Sequence, residues 1–587
     1  MIKKHLRYSG FLFILSFLII ACNKNPKVAV SSFGRYEGFS EEKYDSWQRT
    51  SQYLTMQDGV KLAIDIIRPV QNKQVVSEAL PAVWAYYRYH RARAKEGKIL
   101  SLADRLPPLQ TLIKHGYVVV VADARGTGAS FGNESKGPLS QRSAQHIYQI
   151  TEWIASQEWC DGNVGMFGHS YSGNAQFVAA AQAPPHLKAV FPSGPTFDLY
   201  EIIYAGGIFS ENIAKAIRNS LQYWDIEAET VPVDSDSNGR LLKKARIEHR
   251  KNVDPFEFFK ALPYRDSQFE GYSFWLQGNP MVHLSACNVS RIPVYQWVGW
   301  QDFLIRDAFQ WFVNLQGPKK LAIGWWSHDI KSSYKLLAIE QLRWYDYWLK
   351  GIDNGIMEEP LIHYICIDDP DSLVWYEAER WPLSETESKD YYFVRQASGD
   401  AQSGYHGLFS TTKGLKENQQ ESVPFPASGE LTFTTPPLEQ NLYVIGHPVV
   451  TLNLTTSMKD IDLYVSLQEV DESDSINQVS EGALRALHRK ESEPFFNNMG
   501  LPFQRHYEED LLSIPLDQPV KLAFDLLPTA KVFTKRHRIR VTISCNNAEW
   551  KEMSKEEQAP VIKIVGRHQT EPEIRLPVVK VKKVATF

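Results

Sequence analysis

Cysteine is scarce: Cys22, Cys160, Cys287, Cys366 and Cys545 are the only five in 587 residues. None forms a CxxC pair or a ligand-like cluster with histidine, which argues against a zinc site and against a disulfide framework. An excess of one charge is lacking too, since 64 Lys and Arg stand against 68 Asp and Glu, a formal net charge of −4. With no basic surplus to hold a polyanion, nucleic acid is not expected as a partner. Beyond the N-terminal segment no apolar run reaches the roughly 18 residues that mark a membrane-spanning helix. There is no convincing internal repeat. What remains is a globular balance of 43% apolar, 12% aromatic and 22% charged residues. The length fits about three to five domains or large subdomains.

The N-terminus reads as an address. Lys3, Lys4 and Arg7 precede the apolar stretch Phe11 to Ile20, a charged region followed by a hydrophobic one. That stretch ends at Ile19-Ile20-Ala21-Cys22, which resembles a bacterial lipobox, where cleavage before the cysteine exposes a thiol that receives lipid. Residues 1–22 are therefore expected to be a lipoprotein signal peptide and residues 23–40 a polar tether. The body would be lipid-anchored through Cys22 in the bacterial cell envelope, periplasmic or cell-surface.

Residues 41–196 alternate short apolar strands with helical stretches, which predicts an α/β domain with a largely parallel sheet. Leu80 to Tyr86, Tyr117 to Ala122 and Asn163 to Gly168 read as strands, and Ser143 to Gln157 has helical spacing. The sheet pattern then stops. Residues 197–285 carry amphipathic helical runs, Ile213 to Trp224 and Arg240 to Lys251, and read as an inserted cap whose Tyr200, Tyr204, Phe209, Tyr223, Trp224 and Phe274 are available as pocket walls. Strands resume at Ile292 to Val298 and Lys320 to Ile323, and a helix over Lys335 to Lys350 closes the second part of the α/β domain, residues 286–382. After the polar boundary Ser384 to Lys389 the period becomes two, as in Asp462 to Leu467 and Arg538 to Ile543. Residues 390–587 are thus expected to form an all-β sandwich or jelly roll.

The chemistry is concentrated at three strand ends. Strand Val164 to Phe167 runs through Gly168-His169-Ser170-Tyr171-Ser172-Gly173 into a small-residue helix, the context of a nucleophile elbow. The second glycine stands one place later than in G-x-S-x-G, yet Gly168, Ser172 and Gly173 still meet the need for small residues around a strained turn. A serine hydroxyl is a poor nucleophile until a base takes its proton, so a histidine and an acid must follow. Asp302 lies just past the strand Val294 to Val298, and His328 on the loop after Leu321 to Ile323, in the chain order Ser, Asp, His. His169 is the weaker base candidate, because the elbow turns neighbouring side chains away. Asp307, deeper in the next helix, is the rival acid.

With the elbow, Asp123-Ala124-Arg125-Gly126-Thr127-Gly128-Ala129-Ser130, Gly299-Trp300-Gln301-Asp302, Gly324-Trp325-Trp326-Ser327-His328 and the closing helix Leu342 to Asp353, the chain resembles the cocaine esterase and X-Pro dipeptidyl-peptidase group of α/β-hydrolases. Glu481 to Ala486 and His537 to Val541 are similar to that group's jelly-roll domain. The resemblance implies an α/β-hydrolase domain with a helical cap, then a β-sandwich. It also implies cleavage of an ester or amide through an acyl-enzyme, with Ser170 as nucleophile, His328 as base and Asp302 orienting it, and an oxyanion hole built from the Tyr171 backbone N–H and the Tyr89 hydroxyl. No metal or organic cofactor is needed, and the substrate would be a small-molecule or peptide-like acyl compound.

Three features qualify that pattern. Arg88 stands where the group often has proline, and Tyr86 and Tyr87 compete with Tyr89 for its role. The Asp123 to Ser130 loop fits neither GxGxxG nor a P-loop, and reads as a turn bracing the site through Arg125. The acidic residues that α-amino acid ester hydrolases carry after the catalytic acid are replaced by Leu304 and Ile305, which favours an uncharged or apolar acyl group. The alternatives are an X-Pro dipeptidyl-peptidase and a catalytically dead surface lipoprotein that binds a ligand through its β-sandwich. Oligomeric state is left open, with a homo-oligomer allowed.

Overall fold

A computed structural model describes residues 29–580 except 136, 138, 371–373, 395–404, 411–419, 425–429, 517, 546–561 and 568–571. The expected signal peptide, Cys22 and the first residues of the tether lie outside the described residues. The core is an eleven-stranded sheet whose central strands run in the order Lys319–Ser327, Val294–Gln301, Leu187–Ser193, Cys160–His169, Leu80–Tyr87 and Val118–Asp123. These six pair in parallel, so their C-terminal ends share one edge. Antiparallel strands Lys61–Gln71 and Ser46–Thr55 finish one side.

Every residue of Val118–Asp123 is buried, because helices cover both faces. Its alternation divides the strand between two cores: Val119 and Val121 pack with Trp297 and Trp344, whereas Val118, Val120 and Ala122 pack with Ile147, Ile150 and Phe177. Helices Pro107–Lys114 and Tyr334–Lys350 cover the first face, and Gln141–Ala155 and Tyr171–Gln182 the second. The chain after Thr386 forms a largely antiparallel β domain around Leu452, Leu463, Leu522 and Val541.

Three boundaries differ from the expected ones. Part of the expected tether is folded: Val30–Ser32 pairs with Arg35–Glu37, Phe33 stacks on His363 at 4.2 Å, and the Gly34 N–H donates to Glu340 at 2.8 Å. Single anchors on distant residues fasten this hairpin, and such anchors leave no local period. The β domain begins inside the presumed boundary, since Thr386–Val394 pairs with Glu573–Val579; its charged side chains belong to a strand with one solvated face. At the end of the insertion, helix Leu284–Ser290 runs past residue 285 and packs on the body helix Tyr171–Gln182, where the Cys287 thiol donates to the Phe177 carbonyl.

Candidate active site

The elbow geometry explains the displaced glycine. Ser170 ends strand Cys160–His169 and caps helix Tyr171–Gln182 with φ 57° and ψ −118°, a conformation L-residues hold only where the surroundings impose it. A Cβ on Gly168 would lie 2.5 Å from Ser172 Cβ, and one on Gly173 2.7 Å from the Ser193 carbonyl oxygen. Crowding therefore falls at the third residue after the serine. At the second, Ser172 is accommodated because its hydroxyl donates to the Tyr86 carbonyl at 2.9 Å.

The parallel sheet brings the three strand ends together. Nε2 of His328 lies 3.2 Å from Ser170 Oγ, and Nδ1 lies 3.0 and 3.1 Å from the two Asp302 oxygens. A neutral imidazole donating from Nδ1 to this carboxylate presents an unprotonated Nε2 to the serine. The Asp302 side chain is fully buried, and its Oδ1 also accepts the Leu304 N–H at 3.0 Å. His169 does not compete. Its ring packs 4.4 Å from that of His328, its Nδ1 is buried without a partner, and burial pushes its pKa down to about 4.

Asp307 is elsewhere. It accepts the Phe197 and Asp198 N–H groups at 2.5 and 2.8 Å, fixing the chain where it leaves the sheet for the cap. Burial raises its pKa to about 8. A carboxyl with a raised native pKa binds its proton more tightly folded than unfolded, so its contribution falls as pH climbs from the unfolded value near 4 to about 8. Asp307→Asn removes this slope of up to about 1.4 kcal/mol per pH unit. Urea unfolding at pH 5, 6.5 and 8 should show the variant gaining on the wild type as pH rises; parallel profiles would refute the assignment.

Of the three neighbouring tyrosines, Tyr86 is committed: its hydroxyl accepts the Arg125 N–H at 2.8 Å and donates to Ser143 at 3.3 Å. Tyr89 lines the same cavity as Ser170 and His328, while Tyr87 opens onto a smaller one behind His328. Tyr171 is the first helical residue, and its backbone N–H belongs to the unpaired first turn. Asp123 accepts the N–H groups of Arg91 at 2.7 Å and Ala129 at 2.9 Å, tying the Tyr89 loop to the sheet. Arg125 is buried and braces the loop that leads to Glu134: its Nε donates to the Asn133 carbonyl at 2.9 Å and its guanidinium meets Asp58 at 2.8 Å.

The cavity beside Ser170 measures about 510 Å³. Ile213, Ile217 and Leu221, spaced i, i+4, i+8 on helix Glu211–Gln222, form its cap wall with Phe258, Phe259 and Phe274. Of the six aromatics available in the insertion, Phe274 lines it: Tyr200 and Tyr204 are packed in the cap core with Phe209 against them, Tyr223 is exposed, and Trp224 backs Tyr89. Leu304 lines it, as does Glu134, which accepts from Ser143 at 2.5 Å and whose pKa burial pushes up. No sequence signal singled out Glu134, which lies on the loop after the glycine-rich turn.

A strained serine at an elbow, a histidine and a buried acid on successive strand ends, and an adjoining apolar cavity define an α/β-hydrolase of the serine-hydrolase class. The model for the X-Pro dipeptidyl-peptidase S15 family matches residues 58–329, and that for the X-Pro dipeptidyl-peptidase C-terminal non-catalytic domain matches residues 342–559. A Mycobacterium bovis protein whose name proposes a serine esterase is 27% identical, covering 86% of this chain and 91% of its own. The cocaine esterase of a Rhodococcus is 23% identical over 84% and 90%. A CocE/NonD family hydrolase from Staphylococcus aureus superposes with a TM-score of 0.71 at 20% identity, covering 95% of this chain and 99% of that one, which shows the shared fold. The two models thus assign residues 58–329 to the X-Pro dipeptidyl-peptidase S15 family of serine hydrolases and residues 342–559 to that family's C-terminal domain.

Proposed function

We propose that the protein is an acyl esterase or acylase that takes uncharged, apolar acyl groups, with Ser170, His328 and Asp302 as its triad and Tyr89 and Tyr171 as its oxyanion donors. The observation that carries this reading is the hydrogen-bonded chain Asp302, His328, Ser170 opening onto an apolar cavity of about 510 Å³. Ser170 Oγ attacks the acyl carbon as its proton passes to His328 Nε2, and the carbonyl oxygen becomes negative against the Tyr89 O–H and Tyr171 N–H. Collapse breaks the bond to the leaving group, which takes the proton from His328. Water, deprotonated by His328, then attacks the acyl-enzyme and releases the acid.

A peptidase reading needs a carboxylate for the substrate's free amine. Among the described residues Glu134 is the one acid lining the cavity, but burial raises its pKa and weakens it as a counter-ion. The ester reading is therefore favoured. Each buried methylene contributes about 0.8 kcal/mol, so kcat/KM should rise about fourfold per carbon from p-nitrophenyl acetate to butyrate. Faster release from Gly-Pro-p-nitroanilide than from the butyrate ester would establish the peptidase instead, and a rate highest on acetate would exclude the apolar-acyl assignment.

A further inference from the structure

The loop carrying Tyr89 is held from the cap by one irregular segment. Helix Glu211–Gln222 ends in the π-helical turn Tyr223–Glu227, a geometry that widens the helix and re-aims its side chains. From this turn Asp225 reaches Arg88 at 2.6 Å, with both side chains at most 5% exposed. Asn252 also donates to Asp225, at 2.7 Å. The Arg88 guanidinium lies 5.4 Å from the centre of the Tyr171 ring, so one side chain touches one expected oxyanion residue and adjoins the other in sequence. Trp224 meets the Tyr89 ring edge-on at 5.9 Å, with Tyr87 at 5.4 Å. Beyond Tyr89, His90 Nε2 lies 2.6 Å from the Trp224 carbonyl, Arg91 donates to the Val231 carbonyl at 3.0 and 3.1 Å, and Arg93 stacks on Trp224 at 4.4 Å.

Fastening on both sides of Tyr89 is more than a lid requires. A buried ion pair is weak evidence for stability, since desolvation offsets its attraction, but it fixes geometry. Geometry is what an oxyanion donor needs, because a misplacement of about 1 Å costs about a hundredfold in rate. We propose that the cap's π-helical turn completes the oxyanion hole: Asp225, acting through Arg88, and Trp224, packed on the Tyr89 ring, are positioning residues that hold the Tyr89 hydroxyl over the developing negative oxygen. This rests on the assignment of Tyr89 as an oxyanion donor. Cap docking and catalytic competence are then one event, so a cap that opens for substrate leaves the site without its side-chain donor until it closes.

The test is a double-mutant cycle on the full chain with p-nitrophenyl butyrate. Asp225→Asn and Trp224→Leu are each combined with Tyr89→Phe, and Ser170→Ala is the reference for loss of the site. Asp225→Asn strands the Arg88 charge, so the pair Arg88→Met with Asp225→Leu, which removes both partners, is measured beside it. With Tyr89 present, each change should lower kcat about tenfold to a hundredfold at nearly constant KM. In the Tyr89→Phe background each should cost no more than about twofold, because the group being positioned is gone. Equal losses in both backgrounds, or a change confined to KM, overturn the proposal while leaving the hydrolase reading intact. Wild-type kcat for Tyr89→Phe overturns the oxyanion assignment and this proposal together. Wild-type turnover by Ser170→Ala overturns the hydrolase site itself.

Discussion

Ser170→Ala is expected to lower kcat on p-nitrophenyl esters by about six orders of magnitude and to abolish labelling by a fluorophosphonate. The size follows from the triad acting as a unit: without Oγ there is no acyl-enzyme, and His328 has no proton to accept. For the same reason His328→Ala should cost about as much, and the double variant little more. Asp302→Asn should retain the fold and lose about 10⁴, because the amide leaves His328 free to take the wrong tautomer. The elbow also makes a separate thermodynamic prediction. Alanine inherits the φ of 57° that serine holds, whereas glycine adopts it without a Cβ penalty. Ser170→Gly should therefore be more stable than Ser170→Ala by about 1 kcal/mol in urea unfolding, with both inactive. Equal stabilities would mean that the elbow stores no strain, and an active Ser170→Ala would remove the nucleophile assignment.

These residues were legible in the sequence because each one follows a strand that announces itself. A run such as Val118 to Ala122, buried on both faces, has few readings other than a central parallel strand, and the chemistry of such sheets collects at the C-terminal ends. Ser170, Asp302 and His328 are all at such ends. Tyr89 was different: its assignment came from family resemblance, and long-range bonds separate it from its neighbours, since only the fold shows the Tyr86 hydroxyl occupied by Arg125 and Ser143. The cavity wall is not legible in the sequence for a physical reason. Ile213, Ile217 and Leu221 form a clear helical stripe, but a stripe facing a cavity and one facing a core have the same period. Large aromatics, which attract attention as ligand walls, went mostly to the cap's own core, where Tyr200 and Tyr204 stack at 5.3 Å. The N-terminal hairpin carries no local signal in the sequence because its partners, His363 and Glu340, are more than three hundred residues away.

Tyr89→Phe is expected to lower kcat by about 10² to 10³ with KM nearly unchanged, as loss of a donor used chiefly in the transition state requires. Tyr89 lines a cavity whose walls are mostly aliphatic and aromatic, a low-dielectric setting in which a donor is worth more than in water. The rate of fluorophosphonate labelling should fall with kcat, since the phosphoryl oxygen gains negative charge in the same place. Tyr86→Phe supplies the contrast. Its hydroxyl accepts a buried backbone N–H from Arg125, and removing it strands that donor at a cost of about 1 to 3 kcal/mol of stability. That variant should unfold at lower urea yet turn over near the wild-type rate at 25 °C. The two tyrosines are three residues apart and differ in chemistry by nothing, so the opposite outcomes isolate position as the cause. If Tyr86→Phe loses the rate and Tyr89→Phe the stability, the donor has been assigned to the wrong ring.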